Sequence, residues 1–537
     1  MKYFKIFKKN WPEIVFIILA LGFSWWLMRN NFGYDRKVSQ ILVGSKIWSD
    51  FSSHLPLIRS FSWGNNFPPE YPLFPGEPIR YHFLFYAMVG IFERLGIPID
   101  LALNVPSAFA FFFLLIVIYF LAKILFDNRS VAMLSVVFFL FNGSFSFLEF
   151  FKHNSVFQIP SVANYPSFGP YDGKTVSAFW NLNIFINQRH LALAFAWILV
   201  IVSIFLSQIR KKKQITDRKA LILGLSLAGL PLFHSAVFAM GLMVLTMMFF
   251  FFQKYRRATF LILLSAFILG FPQLLFIRSG LKSGIVFNPG YLVANNLSLP
   301  NIIHYWIFNL GLAFFLIPLG FLLANSLAKK TLLAFFSLFI LGNIFKFSPE
   351  MAANHKFFNL FLIVGNIFVA FAVYKIWRSH LLGKLAVPFF ILFLTFSGII
   401  DFFALKNSFF YKINDKSPEI LWIRENTTPN AVFLTQDTLY HPALLAGRKL
   451  FLGWPYFSWS FGYDIDKRAK IQEKILTSTN IQETCSLLRQ HKIDYLSLSN
   501  TREDLTNNLK FWENNFPTVY QNKENGFIIF YLGKCKI

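Results

Sequence analysis

The sequence predicts a polytopic α-helical membrane protein of about eleven spans with a small C-terminal α/β domain, from its composition, its long apolar runs and the alternation of its basic loops. Of 537 residues, 55% are hydrophobic and 14% charged, and Phe alone supplies 72. A soluble chain of this length could not hide so much apolar surface, so the bilayer is the solvent for most of it. The net charge of +25, from 51 Lys and Arg against 26 Asp and Glu, would suggest nucleic acid in a soluble protein. Here the basic residues gather between apolar runs, as the preference of Lys and Arg for cytoplasmic loops requires, and no nucleic-acid partner is expected.

Stretches long enough to cross roughly 30 Å of hydrocarbon lie at 12–29, 103–126, 130–151, 187–208, 219–233, 235–253, 257–277, 303–325, 331–346, 356–376 and 383–404. Met1 to Trp11 is lysine-rich and precedes an apolar run without a small-residue cleavage site, so it reads as a retained first span. The run at 82–96 carries Glu93 and Arg94 and reads as an interfacial or re-entrant helix. With that run left outside the count, every basic loop falls on one side. These loops hold Lys2 to Lys9, Lys123 and Arg129, Arg210 to Lys219, Lys254 to Arg257, Lys329 and Lys330, and Lys375 to Lys384. The loops at 30–102, 152–186, 278–302 and 347–355, and everything after 405, then face outward across the cytoplasmic membrane.

Two domains follow, 1–404 in the membrane and 405–537 outside it. In the second, short β-rich runs at Ala431–Thr435, Tyr495–Leu498 and Gly526–Tyr531 alternate with helical stretches such as Ile465–Leu476. The two cysteines, Cys485 and Cys535, exclude a disulfide-dense scaffold and a Cys-based zinc site. They either pair, if this region is exported, or stand as two separate thiols.

Polar residues that chemistry can use gather at the outward ends. Asp50 and His54 are four apart and share one face of a helix. A carboxylate there can serve as general base toward an acceptor hydroxyl or hold a metal, with His beside it; a helix cap or a surface pair is the structural alternative. Gln188, Arg189 and His190 open one span, and Glu350, Asn354, His355 and Lys356 open another. Cations at headgroup depth can meet a lipid phosphate or simply snorkel to water. His82 closes the Pro- and Gly-rich part of the first loop, and His234 sits between two short apolar runs, where a satisfied polar residue at a helix junction explains it better than a catalytic one. Trp454, Tyr456, Trp459, Tyr463 and Asp464 offer an aromatic and acidic loop that either stacks on a sugar or forms a packed edge. Neither a phosphate-cradling Gly-rich loop nor a His-Glu-x-x-His helix is present.

The run Ser49-Asp50-Phe51-Ser52-Ser53-His54, the segment Ser62-Trp63-Gly64-Asn65-Asn66-Phe67-Pro68, and Gly76-Glu77-Pro78-Ile79-Arg80-Tyr81-His82 follow a first span. Together with the span pattern, this arrangement resembles the GT-C class of membrane glycosyltransferases, especially its uncharacterised bacterial members. The resemblance implies transfer, with inversion, of a sugar from a polyprenyl-phosphate donor to a glycan, lipid or protein acceptor at the outer face. It implies Asp50 and His54 as catalytic residues, and Arg189, His190, His355 and Lys356 around the donor phosphate. His82, Gln188, Glu350 and Asn354 are further site candidates. Many members carry a paired acidic motif in this loop, whereas Asp50 is followed by Phe51. A divalent metal at Asp50 and a metal-independent mechanism therefore both stand. The alternative outside enzymes is a lipid-linked-sugar flippase or a polysaccharide exporter, against which the concentration of polar groups at span ends argues.

Overall fold

Helix α1 (Lys2–Arg29) opens the fold, and β1 (Phe32–Asp35) and β2 (Gln40–Gly44) form a hairpin beyond its end. The structure, a computed structural model, describes residues 2–165, 179–280, 284–293, 297–436, 439–499 and 508–536, with side chains from Trp11. The expected loops at 152–186 and 278–302 thus fall partly outside the described residues, as do the side chains of the lysines before Trp11. Next come α2 (Trp48–Ser62), the hairpin β3 (Glu70–Tyr71) and β4 (Phe74–Pro78), and α3 (Leu84–Arg94), packed on α2. At eleven residues, α3 is far short of the ~20 needed to span.

Then follow α4 (Ile99–Phe126), α5 (Arg129–Leu140), α6 (Ser146–His153), α7 (Asn183–Asn187), α8 (Leu191–Arg210), α9 (Asp217–Ala228), α10 (Pro231–Phe251) and α11 (Arg256–Ile277). The pair β5 (Val286–Phe287) and β6 (Phe345–Lys346) encloses α12 (Leu299–Leu310), α13 (Ala313–Leu323) and α14 (Ser326–Ile344). The helical part ends with α15 (His355–Trp377) and α16 (Leu381–Lys406).

All eleven expected apolar stretches contain helix, but the number long and apolar enough to span is smaller. Eight helices qualify among the described residues, or nine if the α12–α13 pair, bent by 88°, is one span. The stretch at 219–233 is a twelve-residue α9, ended before Pro231, and that at 130–151 breaks after α5. Glycines sit where the 130–151 stretch breaks and where α12 meets α13. A Cβ on Gly143 would lie 2.4 Å from the Leu394 carbonyl oxygen, and Gly311, at the α12–α13 bend, holds φ +56°. Caps set the turns at the other end. Asn128 accepts from the Val131 N–H at 3.0 Å, and Asn325 from that of Ala328 at 2.9 Å.

The basic turns meet at that end. Arg210 donates to the carbonyls of Lys123 and Ile124, Asn325 to that of Leu125, and Arg257 pairs with Asp217. Helix α15 runs through the middle: 94% of its apolar window is buried, against 22% for α1 and α11. Its first residues therefore reach the opposite end of the bundle from within the protein.

After α16, β7 (Phe410–Asn414) returns to pair with β2, joining the chain's end to its first loop in the sheet β1-β2-β7. Beyond α17 (Pro418–Asn426), a five-stranded sheet has the order β11-β12-β10-β8-β9, from β8 (Val432–Leu434), β9 (Lys449–Leu450), β10 (Tyr495–Leu498), β11 (Thr518–Asn522) and β12 (Phe527–Tyr531). Between its strands lie α18 (Pro442–Leu445), α19 (Pro455–Ser460), α20 (Ile465–Thr477), α21 (Ile481–Gln490) and α22 (Leu509–Asn515). The expected β-rich runs hold β8, β10 and β12, which supply parallel and antiparallel pairings around one apolar cluster including Leu434, Leu496 and Phe530. The main core, however, continues across residue 405 through Ile420, Ala431 and Phe433. Of the two readings of the cysteines, pairing is the one found: Cys485 and Cys535 are disulfide-bonded.

Candidate functional site

Helix α2 starts just past the β1–β2 hairpin. Asp50 is the third residue of its first turn and is partly exposed. Negative charge suits a helix start, but no side-chain capping bond forms here. Among the described residues the Asp50 carboxylate takes no hydrogen bond and no ion pair, so neither structural alternative, cap nor surface pair, describes it. Burial of its surroundings raises its pKa from 3.8 to about 6; Lys356 pulls it down and Glu350 pushes it up. The Lys356 ammonium likewise has no ion pair among the described residues, although Asp50 and Glu350 both act on it. Two opposite charges thus share one field without meeting.

Aromatic groups wall this space. Trp48 lies between Tyr411 and Tyr440, each 4.1 Å away by ring centroids, and the Tyr440 hydroxyl donates to the Trp48 carbonyl at 2.5 Å. Burial raises the pKa of Tyr71, Tyr81, Tyr86 and Tyr440, and the Asp50 charge adds to each, so these phenols remain neutral around it. On the far side, Tyr456 of α19 donates to Glu350, and the Tyr456 and Trp459 rings are 6.1 Å apart and substantially exposed. Tyr463, from the same predicted aromatic loop, is instead buried and bonds Arg80 N–H and the Pro78 carbonyl. That loop is divided between an exposed ledge and packing.

His54 follows Asp50 by one turn, but it faces the interior. Its ring stacks on Tyr86 at 4.6 Å, Nε2 lies 3.5 Å from the Tyr81 hydroxyl, and Nδ1 is buried without a partner. Burial, with Arg189 nearby, lowers its pKa to about 3, so it is a neutral imidazole at physiological pH. Below it, His82 Nε2 and His190 Nε2 are 2.7 Å apart, and His190 Nδ1 meets the Tyr86 hydroxyl at 2.9 Å. His234 completes the group, its ring stacked on that of His82 at 4.3 Å.

The remaining expected residues divide by partner. Arg189 is fully buried and donates to the carbonyls of Ile186 and Met28 and to Asn104 Oδ1, at 2.8, 3.2 and 3.1 Å. Three of its five N–H groups are engaged in this way, two of them tying the start of α8 to α1 and α4, where the sequence placed a donor phosphate. Asn354 is similarly occupied, donating to the carbonyls of Gly342 and Phe345, so it anchors the entry to α15. Gln188 and His355 do converge, with side-chain nitrogens 3.4 Å apart, and His355 Nδ1 meets Asn359 Oδ1 at 2.7 Å. His190 belongs to the histidine group described above. The sequence assigned no role to Tyr81, Tyr86, Tyr440 or Trp48; Trp48 and Tyr81 lay in the informative first-loop segments and Tyr86 four residues after His82, while Tyr440 carried no local signal.

The residues around Asp50 do not fit a divalent cation. Among the described residues no third carboxylate or imidazole converges on Asp50 and Glu350, and Lys356 already supplies positive charge to both. An open pocket of about 560 Å³ lined by Phe252, Tyr255 and Lys330 belongs to the basic end of the bundle, away from Asp50.

No protein-family model matches the sequence, and no curated protein does. Among solved structures, the chain aligns with an Archaeoglobus fulgidus oligosaccharyltransferase tethered with an acceptor peptide containing the NVT sequon. That alignment has a TM-score of 0.51 at 12% identity and covers 97% of this chain and 74% of that one. A second structure, the oligosaccharyltransferase AglB of the same organism with an inhibitory peptide and a dolichol-phosphate, aligns at a TM-score of 0.49 and 12% identity, over 91% and 69% of the two chains. At this identity the first likeness is one of fold alone: the chain shares the overall fold of that oligosaccharyltransferase.

Proposed function

We propose that the chain is a membrane glycosyltransferase that moves a sugar from a polyprenyl-phosphate donor to an acceptor at the outer face of the cytoplasmic membrane. The observation that carries this reading is the unpaired Asp50 carboxylate in the field of the unpaired Lys356 ammonium, at the bundle end opposite the basic turns. In the reaction, Asp50 takes the proton from the acceptor nucleophile as it attacks the anomeric carbon. The bond from that carbon to the phosphate oxygen breaks, and the polyprenyl phosphate leaves with its new charge stabilised by Lys356. Gln188, whose side-chain amide also approaches His355 Nε2, is placed to donate to the phosphate, while His355, with Nδ1–H held by Asn359, orients that amide; a single displacement inverts the sugar carbon.

His54 and Arg189 position this site rather than react. His54 packs under Asp50 between Phe51 and Tyr86, and Arg189 fixes the α8 entry beside it. Tyr456 and Trp459 offer faces on which a sugar or acceptor can stack. Gathering of the Lys and Arg turns at one end supports a cytoplasmic placement of that end, and the Cys485–Cys535 disulfide suits an oxidising outer compartment. Membrane lipid is the expected surround of the apolar helices. The fold likeness lends nothing to the flippase or exporter alternative.

The test follows labelled sugar in membranes holding matched amounts of native protein or Asp50→Asn. Release of sugar from a polyprenyl-phosphate donor should require the native chain. Equal release by Asp50→Asn would remove the base from the proposal.

A further inference from the structure

His82, His190 and His234 come from three separate elements: the end of the first loop, the entry to α8, and the first turn of α10. Each offers one ring nitrogen, and these three nitrogens lie within 4.8 Å of one another. Three imidazoles converging without a carboxylate is an unusual use of a buried volume, because each must place two nitrogens with few partners nearby. His190 and His234 are 1% and 0% exposed, and His234 Nε2 has no hydrogen-bond partner. His234 is also where α10 departs from helical geometry, at ψ 94°, so that the helix is kinked where the imidazole joins the group.

We propose that His82, His190 and His234 form a binding site for a transition-metal ion of the Zn²⁺ class, separate from Asp50. Neutral imidazoles suit Zn²⁺, Co²⁺, Ni²⁺ or Cu²⁺, whereas Mg²⁺ and Ca²⁺ require oxygen ligands that this group lacks. Bonds of 2.0–2.1 Å in a tetrahedral site set ligand nitrogens about 3.3 Å apart. The His82–His190 nitrogens, now 2.7 Å apart, open slightly to reach that spacing, and the widest pair closes by up to about 1.5 Å. An outer partner is in place for His190: with Nε2 on the metal, Nδ1–H donates to the Tyr86 hydroxyl at 2.9 Å. His234 gives up only a 3.4 Å approach from the Val237 N–H to its Nδ1, longer than a normal hydrogen bond. His82, at 9% exposure the most accessible of the three, marks the entry side, and the fourth coordination position is left for water or a ligand oxygen.

The site stands independently of the proposed transfer reaction, so its test measures binding. Purified full-length protein is stripped with a chelator and titrated with Co²⁺ alone, following the visible ligand-field bands of tetrahedral Co²⁺. The native chain and Asp50→Asn should each bind one equivalent, displaceable by Zn²⁺, with a rise in thermal midpoint. His234→Phe, which keeps the stacked ring, should lose the bands and bind at least tenfold more weakly; His82→Asn, at the accessible rim, gives the same readout should the buried variant fail to fold. Absence of the bands in native protein, or retention of them in either variant, would overturn the proposal and leave the group a hydrogen-bonded imidazole chain. Loss of the bands in Asp50→Asn would equally overturn a site separate from Asp50.

Discussion

The two halves of α2 handle charge in opposite ways. Arg59, nine residues and about 13 Å along the helix from Asp50, is fully buried. Its Nη2 lies 2.9 Å from Asp415 and 3.3 Å from Glu93, with its guanidinium 3.6 Å over the Trp63 ring. That triad joins α2, α3 and the segment after β7. Among the described residues Asp50 has no such partners, and Lys356, the cation that acts on it, has none either. Arg59 is held through Nη2, its Nε and Nη1 having no hydrogen-bond partner among the described residues, whereas Arg448 is bonded by the carbonyls of Trp63, Arg424, Thr427 and Ala446. A charge kept unbonded at an open end has its capacity left for a ligand.

The largest effect that would break this contrast belongs to Asp50→Asn. Loss of a general base costs about 10²–10⁴-fold in transfer rate, while stability at neutral pH should be unchanged or slightly higher, since no bond is lost. Asp415→Ala should do the reverse. It leaves Arg59 short of a partner in the interior and should cost about 3 kcal/mol of stability, read as a lowered thermal midpoint. A variant set in which Asp50→Asn unfolds the protein and Asp415→Ala does not would erase the distinction between the two halves.

How much of this was legible follows from the range of the interactions. Apolar runs and turn residues are local, and all eleven runs contain helix; their spanning status is not local, since the breaks lie where distant backbone packs closely, Leu394 against Gly143 and Gly143 against Gly311. Asp50 and Lys356 were visible as polar residues at span entries, yet only the central placement of α15 brings them into one field. Arg189 looked equally exposed in sequence. Its neighbours Asn104 and Met28 lie 85 and 161 positions away, so nothing near it revealed that it is buried and bonded within the protein. Tyr440 reaches Trp48 across 392 positions and was illegible for the same reason.

Lys356→Ala comes next in size. Removing the cation from a leaving phosphate forfeits a charge-assisted contact worth about 1.5–3 kcal/mol, or roughly 10–150-fold in transfer rate, with donor dependence affected more than acceptor dependence. Equal losses for both substrates would move Lys356 out of the donor half. Orientation is tested by single cysteines at Lys212 and Glu524, both exposed, in a chain whose two native cysteines are paired. Membrane-impermeant reagent on intact cells should label Glu524→Cys and spare Lys212→Cys; the inverse pattern would place Asp50 inside.

The smallest expected effect is the sharpest, because it reads the Asp50 field directly. A base with a pKa of about 6 should make kcat/KM fall tenfold per pH unit below that value and level off above it. The sign for stability is opposite. A carboxyl raised from 3.8 to about 6 favours the folded state in its neutral form, so its contribution is complete below pH 3.8 and is lost as pH rises through 6. Activity and this part of stability therefore trade across the same window, and Asp50→Asn should flatten the stability change there. Neighbours then move the acid limb in opposite directions. Glu350→Gln removes a charge that pushes the Asp50 pKa up, so the limb should shift to lower pH; Lys356→Ala removes one that pulls it down, so the limb should shift higher. If both variants moved the limb the same way, or neither moved it, the titrating group would not be Asp50, and the unpaired carboxylate on α2 would lose its claim as the base.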